Sequence, residues 1–354
     1  MHLIARYLFR HIVLLLPIFL ITISFKQAIL AENNGEKSLH SSISSPHATT
    51  NNTPVDIQIR GRQEPNGFKV ETSIKNKVKK PLSGVLSWEL RPRGRVEIPP
   101  VPFHNLLPDE QITTTSGLMA GNREARLVAL VDLENEGNFE NSIGLMPMPL
   151  RLTSPKIDGS LTEWIDVPTL YLNKEFQVVK KGAGEKWSED DTSGIFQFWW
   201  TDEALYVATQ WTDKASLRKP PRYAKSKNAD SLEILLGLDG PTTRTSFGKG
   251  DYQIIIKCDS DRSIQKMWIC GDKKSLKAGS IASKITKTGR IIEAKVPLIW
   301  LGEWKPKRQT MIGFDLVLHE DGYGESGKGA FTLRWSGSSK VESDPSRWGL
   351  AIIY

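Results

Sequence analysis

Between residues 55 and 150 the apolar residues come in short runs at 55–59, 68–74, 84–90, 112–116 and 125–133, separated by turn-forming residues and never at helical spacing. In Phe68-Lys69-Val70-Glu71-Thr72-Ser73-Ile74 the even-numbered positions carry Phe, Val, Thr and Ile. A strand alternates its side chains with period two, so this face turns to a core. Pro92, Pro99, Pro100, Pro102 and Pro108 fall in the connections, where the missing backbone donor does no harm to a ladder. The spacing predicts a β-sandwich of about seven strands over residues 55–150. Residues 155–354 repeat the pattern, with runs at 195–200, 205–211, 232–238, 252–258, 264–269, 290–296, 311–319, 331–335 and 348–353. Thr201-Asp202-Glu203-Ala204 joins the first two as a hairpin, and the alternation of Leu205, Val207 and Thr209 predicts one buried face. Two stacked sheets of about nine or ten strands would bury it. The fold class is all-β, with two β-sandwich domains.

The first 54 residues read differently. Arg6 and Arg10 precede an apolar run over residues 12–24, and Ala28 and Ala31 offer small residues for cleavage, the pattern of an export signal over residues 1–31. As a helix that run would span about 20 Å, short of the roughly 30 Å hydrocarbon slab. A retained anchor is the alternative. Residues 32–54 are rich in Ser, Thr, Asn and His, hold no aromatic residue, and cannot bury enough apolar surface to offset ordering entropy. They read as a disordered tether, consistent with an exported protein (periplasmic, cell-surface or extracellular) and with cell-envelope association. Loss of Arg6, Arg10 and Lys26 with the signal lowers the formal charge from +7 to +4. Basic residues are scattered in short runs such as Lys77-Val78-Lys79-Lys80, and no nucleic-acid partner is expected. The sequence is silent on oligomeric state.

Candidate chemistry is sparse. The chain has no HExxH, no GxSxG and no phosphate-cradling glycine loop, and its six histidines are dispersed. Glu293 and Asp315, on expected strands, are the pair a hydrolase would need, but pairing with backbone groups or cations is the preferred reading, and no enzymatic activity is expected. Cys258 and Cys270 are the only thiols. An oxidising compartment would permit their disulfide, while a hairpin turn at 259–262 would place them on opposite faces; both options stand.

Two resemblances follow from ordered motifs. Ile74-Lys75-Asn76, Pro81-Leu82-Ser83-Gly84-Val85 and Leu106-Leu107-Pro108-Asp109-Glu110 resemble the immunoglobulin-like modules that accompany glycosidases, which implies a spacer. Further on come Lys156-Ile157-Asp158-Gly159 ahead of Trp164, Trp200-Thr201-Asp202-Glu203-Ala204-Leu205-Tyr206-Val207, Asp230-Ser231-Leu232-Glu233-Ile234, Ile292-Glu293-Ala294-Lys295-Val296-Pro297, Ile312-Gly313-Phe314-Asp315 and Asp344-Pro345-Ser346-Arg347-Trp348-Gly349. In that order they resemble carbohydrate-binding modules of family 9. The resemblance implies a jelly-roll-like sandwich over residues 155–354, a glycan or polysaccharide as partner, and structural calcium in some members. Loop acids Asp202, Asp213, Asp239, Asp251, Asp259, Asp261 and Asp321 offer oxygen ligands, without EF-hand spacing.

Sugar-binding members of that family hold a terminal sugar between two tryptophans, because indole faces suit the apolar side of a pyranose. Here those positions fall on Lys227 and Glu342, and a strand arginine of the family falls on Ile255, while Glu233 and Gln253 match polar positions. A rebuilt site would draw on Trp187 and Tyr223, with Arg222 and Asn228 bonding hydroxyls and Trp199 as a further aromatic. The expected function is a secreted, non-catalytic carbohydrate-binding protein that recognises a glycan or cell-surface polysaccharide, with candidate ligand-binding residues Trp187, Tyr223, Lys227, Asn228, Glu233, Gln253 and Glu342. The alternative is a structural or protein-interaction module that kept the fold and lost the sugar site. A weaker alternative is a periplasmic haem-binding domain using Met267 and His319.

Overall fold

The computed structural model describes residues 53–354 apart from 66, 93–95, 97, 118–122, 182–185, 214–229, 242, 259–264, 270–278, 303 and 324–327. The expected export signal and most of the tether lie outside the described residues. The order of strands is β1 Val55–Glu64, β2 Gly67–Asn76, β3 Leu82–Arg91, β4 Val101–Leu106, β5 Gln111–Gly117, β6 Ala125–Leu133, β7 Gly137–Met148, β8 Thr169–Leu172, β9 Val178–Lys181 and β10 Thr192–Trp200. It continues with β11 Ala204–Asp213, β12 Ser231–Gly237, β13 Asp251–Cys258, β14 Gln265–Ile269, β15 Ser280–Ile285, β16 Gly289–Pro297, β17 Thr310–Tyr323, β18 Lys328–Arg334 and β19 Gly349–Ile353. Helical structure among the described residues is limited to short 3-10 turns, and none is long and apolar enough to cross a membrane.

The fold is all-β and builds two sandwiches around a shared sheet. A three-stranded sheet runs β1-β2-β5, and a five-stranded sheet runs β15-β16-β11-β10-β8. The third follows β14-β13-β12-β17-β19-β7-β6-β3-β4, with β18 and β9 branching from β17. The expected face of β2 is buried, with Val70, Thr72 and Ile74 at 0–1% exposure, and Thr72 Oγ1 accepts the indole N–H of Trp88 at 3.1 Å.

The last strand is the hinge of this architecture. β19 pairs antiparallel with β17 on one side and parallel with β7 on the other. All five of its residues are buried. Period two sends Leu350 and Ile352 into the N-terminal core beside Val70, Leu86 and Leu127, and Ala351 and Ile353 into the C-terminal core beside Trp200, Phe314 and Trp335. One strand thus supplies two cores.

β11 departs from the one buried face that its alternation predicts. Leu205, Val207 and Thr209 are buried, but so are Ala204, Tyr206 and Ala208. The cause is the segment around Ile157, Leu161, Trp164 and Val167, which covers the outer face of the five-stranded sheet. That cover is fastened by one carboxylate. Glu293 Oε2 accepts the backbone N–H groups of Asp158 at 3.0 Å, Gly159 at 2.5 Å and Ser160 at 3.2 Å, while Oε1 accepts the Trp164 indole N–H at 2.8 Å. Gly159 has φ +80°, which lets consecutive N–H groups converge on one oxygen. The motif containing Gly159 and the strand containing Glu293 are therefore two halves of a single structural clasp. β4, β7, β8, β9 and β15 were not expected from the hydrophobic pattern; β8 and β9 are only four residues long, and Pro102, expected in a connection, lies in β4 at the edge of its sheet, where a missing donor is tolerated.

Candidate functional site

Strands β13, β12, β17 and β18 lie side by side, and alternation gives them two chemically distinct faces. Leu232, Ile234, Leu316, Leu318, Ile254 and Leu333 face the C-terminal core. On the opposite face the register aligns Arg334, Val317, Glu233 and Ile255 in one row and Thr332, His319, Ser231 and Lys257 in the next. Gln253 lies two residues before Ile255 on β13, on the same face. The chain after β18 folds back over part of this face, where Val341 and Trp348 join Leu235 and Val317 in a small apolar cluster. Trp348 donates its indole N–H to the Val341 carbonyl at 2.8 Å, and the Asp344 side chain caps the turn Pro345–Arg347 by accepting from Ser346 N at 3.1 Å. This closure sets Glu342 against the Arg334 guanidinium, with which it forms an ion pair.

A polar network results. Gln253 Nε2 donates to Glu233 Oε2 at 2.6 Å, and Glu233 Oε1 lies 3.1 Å from His319 Nε2. His319 Nδ1 lies 3.2 Å from Thr332 Oγ1, and His319 Nε2 stands 4.0 Å from Glu342 Oε1. The side chains of Glu233, Arg334, Glu342 and His319 retain 12%, 13%, 24% and 29% of their surface, so the network keeps partial contact with solvent. Burial alone would lift the Glu233 carboxyl, but the bond and charge of His319, the Gln253 amide and the Arg334 charge together hold it below the ordinary range. Arg334 Nε is buried and has no hydrogen-bond partner among the described residues, although Nη2 donates to Glu342 Oε1.

The structure brings together three of the residues named from sequence: Glu233, Gln253 and Glu342. Tyr223, Lys227, Asn228 and Arg222 lie outside the described residues. Trp187 stands just before β10 in the five-stranded sheet, where its indole N–H donates to the Thr192 carbonyl at 2.7 Å and its ring packs on the core. Trp199 is 4% exposed, packed edge-on against Trp164 at 5.7 Å and stacked under the Arg151 guanidinium at 4.3 Å. Trp164 and Trp200 are fully buried. Met267 shares a row with Ile256, Leu232 and Leu318 and turns into the core, whereas His319 turns to the opposite face. A single haem cannot take both as ligands from opposite sides of one sheet.

Sequence reading missed Arg334, Thr332 and the role of His319 in this network. The signal was present in Phe331-Thr332-Leu333-Arg334, whose alternation places Thr332 and Arg334 on the face opposite Leu333. Arg334 lies in the same row as Ile255, so an arginine reaches that face from a different strand.

The other carboxylates have structural roles. Glu293 closes the clasp on β16, and Asp315 sits on β17 in another sheet, so the two do not converge on one bond. Asp315 is fully buried, and its Oδ1 accepts Leu316 N–H at 2.8 Å and Ser336 N–H at 3.3 Å. Asp213, Asp230 and Glu320 gather their oxygens within 4.8 Å of one another. Arg290 donates to Asp213 at 3.0 Å and to Asp230 at 3.2 Å, with its side chain 6% exposed. The Arg290 guanidinium thus bridges two of the three acids of that cluster. Asp259 and Asp261 lie outside the described residues. For the cysteines, the backbone of Cys258 pairs with Gln265, and Cys270 lies outside the described residues.

Comparison with known proteins follows the same division of the chain. A segment of 222 residues, 62% of this chain, is 26% identical to endo-1,4-beta-xylanase C of Paenibacillus barcinonensis and spans 18% of that protein's length. Among solved structures, a carbohydrate binding module family 9 from Caldicellulosiruptor kristjanssonii in complex with glucose matches over 59% of this chain and 95% of its own, at 19% identity and TM-score 0.44. The same module in complex with cellotriose matches over 59% and 93%, at the same identity and TM-score. Residues 157–354, which carry the clasp, the polar network and the five-stranded sheet, match the family model described as carbohydrate family 9 binding domain-like. That match takes in more than half of the sequence, and the chain belongs to this family of carbohydrate-binding domains.

Proposed function

We propose that this chain is an exported, non-catalytic carbohydrate-binding protein, and that the polar face of β13, β12, β17 and β18 is where it meets a sugar. One observation carries the reading: Glu233, Gln253, His319 and Arg334 converge from four adjacent strands beside the buried Val317 and Val341, and the charged side chains keep part of their surface in solvent. Carboxylate, amide, imidazole and guanidinium groups together offer both donors and acceptors to a pyranose hydroxyl pair, and their anchoring on strands keeps them preorganised. Membership in a family of carbohydrate-binding domains supports the same reading. The tether ahead of residue 55 would hold the sandwiches away from a cell envelope.

Glu342 stands where the family resemblance places an aromatic platform. A stacked aromatic ring contributes about 0.5–1.5 kcal/mol beyond its area, and a carboxylate supplies none of it, so binding is expected to be weak and to rest on hydrogen bonds. Affinity electrophoresis and calorimetry with glucose, cello-oligosaccharides and xylo-oligosaccharides test the proposal. Glu233→Ala and Arg334→Ala should each abolish retardation while leaving the folded spectrum intact. A second reading, an assembly module without a sugar site, is favoured by the ion pair that Arg334 and Glu342 make with each other. Wild-type protein that migrates unretarded on every polysaccharide would decide for that module.

A further inference from the structure

We propose that Glu233, His319 and Glu342 form a binding site for one divalent transition-metal ion of the zinc class. The inference goes beyond carbohydrate recognition and stands whether or not a sugar binds this face. One carboxylate oxygen from each glutamate and the Nε2 of His319 lie within 4.8 Å of one another. The individual separations are 3.1 Å between Nε2 and Glu233 Oε1 and 4.0 Å between Nε2 and Glu342 Oε1. Tetrahedral zinc with bonds of about 2.0–2.2 Å places its ligands about 3.3–3.6 Å apart, so the three atoms need only small rotamer adjustments to close on an ion.

Each ligand has its own support from a neighbouring side chain, which is how metal ligands are oriented. The Thr332 hydroxyl faces His319 Nδ1 at 3.2 Å; when it accepts the Nδ1–H, the lone pair of Nε2 points at the two carboxylates. Gln253 holds Glu233 Oε2 at 2.6 Å and so turns Oε1 toward the imidazole. Arg334 Nη2 pairs with Glu342 Oε1, the oxygen that faces His319 Nε2, so an ion would share that oxygen with the guanidinium. Among Glu233, Glu342, Arg334 and an imidazole that must be neutral to ligate, the sum is one negative charge, which a dication would offset. The mix of imidazole and carboxylate suits zinc better than calcium, which prefers oxygen alone. The side chains' residual exposure of 12–29% provides an entry path and leaves a fourth position to water.

The test is calorimetric titration of the untagged full chain with zinc chloride, without sugar, together with the visible absorption of the cobalt(II) form as a readout of four-coordinate geometry. The expected result is one His319-dependent ion per chain, with affinity reduced about tenfold or more by His319→Ala and by Glu342→Gln. His104→Ala, at an exposed position, should leave binding unchanged. Unaltered stoichiometry and affinity in His319→Ala would overturn the proposal, as would a wild-type chain that takes up no zinc. Should the variants fail to fold, imidazole nitrogen NMR of the wild-type chain decides: zinc should shift the Nε2 resonance of His319, and an unmoved resonance sinks the site.

Discussion

Asp315 shows how a single buried acid couples this fold to pH. Its carboxyl is pushed up to about 7 because burial disfavours the charge, against the opposing pull of the Ser336 hydroxyl, two backbone N–H groups and the Arg126 guanidinium. Oδ2 has no hydrogen-bond partner among the described residues, so the ionised form gains little for its desolvation. The sign follows from proton counting. Between the unfolded value near 3.8 and the folded value near 7 the native chain holds the proton and the unfolded chain does not. Stability from this residue is complete below about pH 4 and is lost as pH rises toward 7, by on the order of 4 kcal/mol in total. Asp315→Asn cannot titrate and keeps Oδ1 for Leu316 and Ser336. The stability difference between wild type and variant, read from urea midpoints at pH 5 and pH 8, should therefore change in favour of Asn at the higher pH. A difference that is constant across that range would mean the buried carboxyl does not titrate there. Burial raises the Glu293 carboxyl in the same direction, but there four donors answer it and tie it to the clasp.

At the scale of elements, the parallel pairing of β7 and β19 depends on two glycines lying under the Trp335 indole. A Cβ on Gly144 would meet that ring at 2.6 Å, and one on Gly349 would meet it at 2.4 Å, both well inside van der Waals contact. Trp335 itself is fully buried and donates its N–H to Glu124 Oε1 at 2.6 Å, so it has little freedom to withdraw. Gly144→Ala and Gly349→Ala should each destabilise the protein by about 1–3 kcal/mol through overpacking, measured as a lowered melting temperature. Melting temperatures equal to wild type would show that the indole can shift after all. These strands also mark what the sequence could show. β10, β11, β12, β16 and β17 were legible because each carries a long apolar face at period two, and Thr201-Asp202-Glu203-Ala204 is turn-forming. β15 was not, since its residues are at most half-buried and give no apolar rhythm. Nor was the partnership of β19 with β7, because pairing between strands about 200 residues apart leaves no local trace. The candidate site divides the same way: Glu233 and Gln253 were legible from motif spacing, whereas His319, Thr332 and Arg334 join them only through strand order.

For the molecule as a whole, the division of β19 between two cores argues that the two sandwiches unfold together. Ile352 lies in the core with Trp88, and Ile353, one residue further, lies in the core with Trp200. Unfolding either sandwich would strip one face of β19 and β7 while leaving their ladder exposed on that side, so the partly folded state keeps the ordering cost of both strands with half the burial. The cluster of Glu124, Arg126 and Trp335 adds a polar tie: Arg126 on β6 reaches the Trp335 carbonyl at 3.5 Å, and Glu124 accepts both that indole N–H and the Tyr171 backbone N–H at 3.1 Å. The tryptophans offer separate reporters. Trp88 is the sole tryptophan before residue 150, and the remaining ten of the eleven follow it. In protein labelled with fluorotryptophan, the Trp88 and Trp200 resonances should disappear at the same urea concentration. Ile352→Ala and Ile353→Ala, each removing about 2–5 kcal/mol, should move both resonances together even though the two side chains enter different cores. Loss of the Trp88 signal alone in Ile352→Ala would mean that the shared sheet joins two independently folding units.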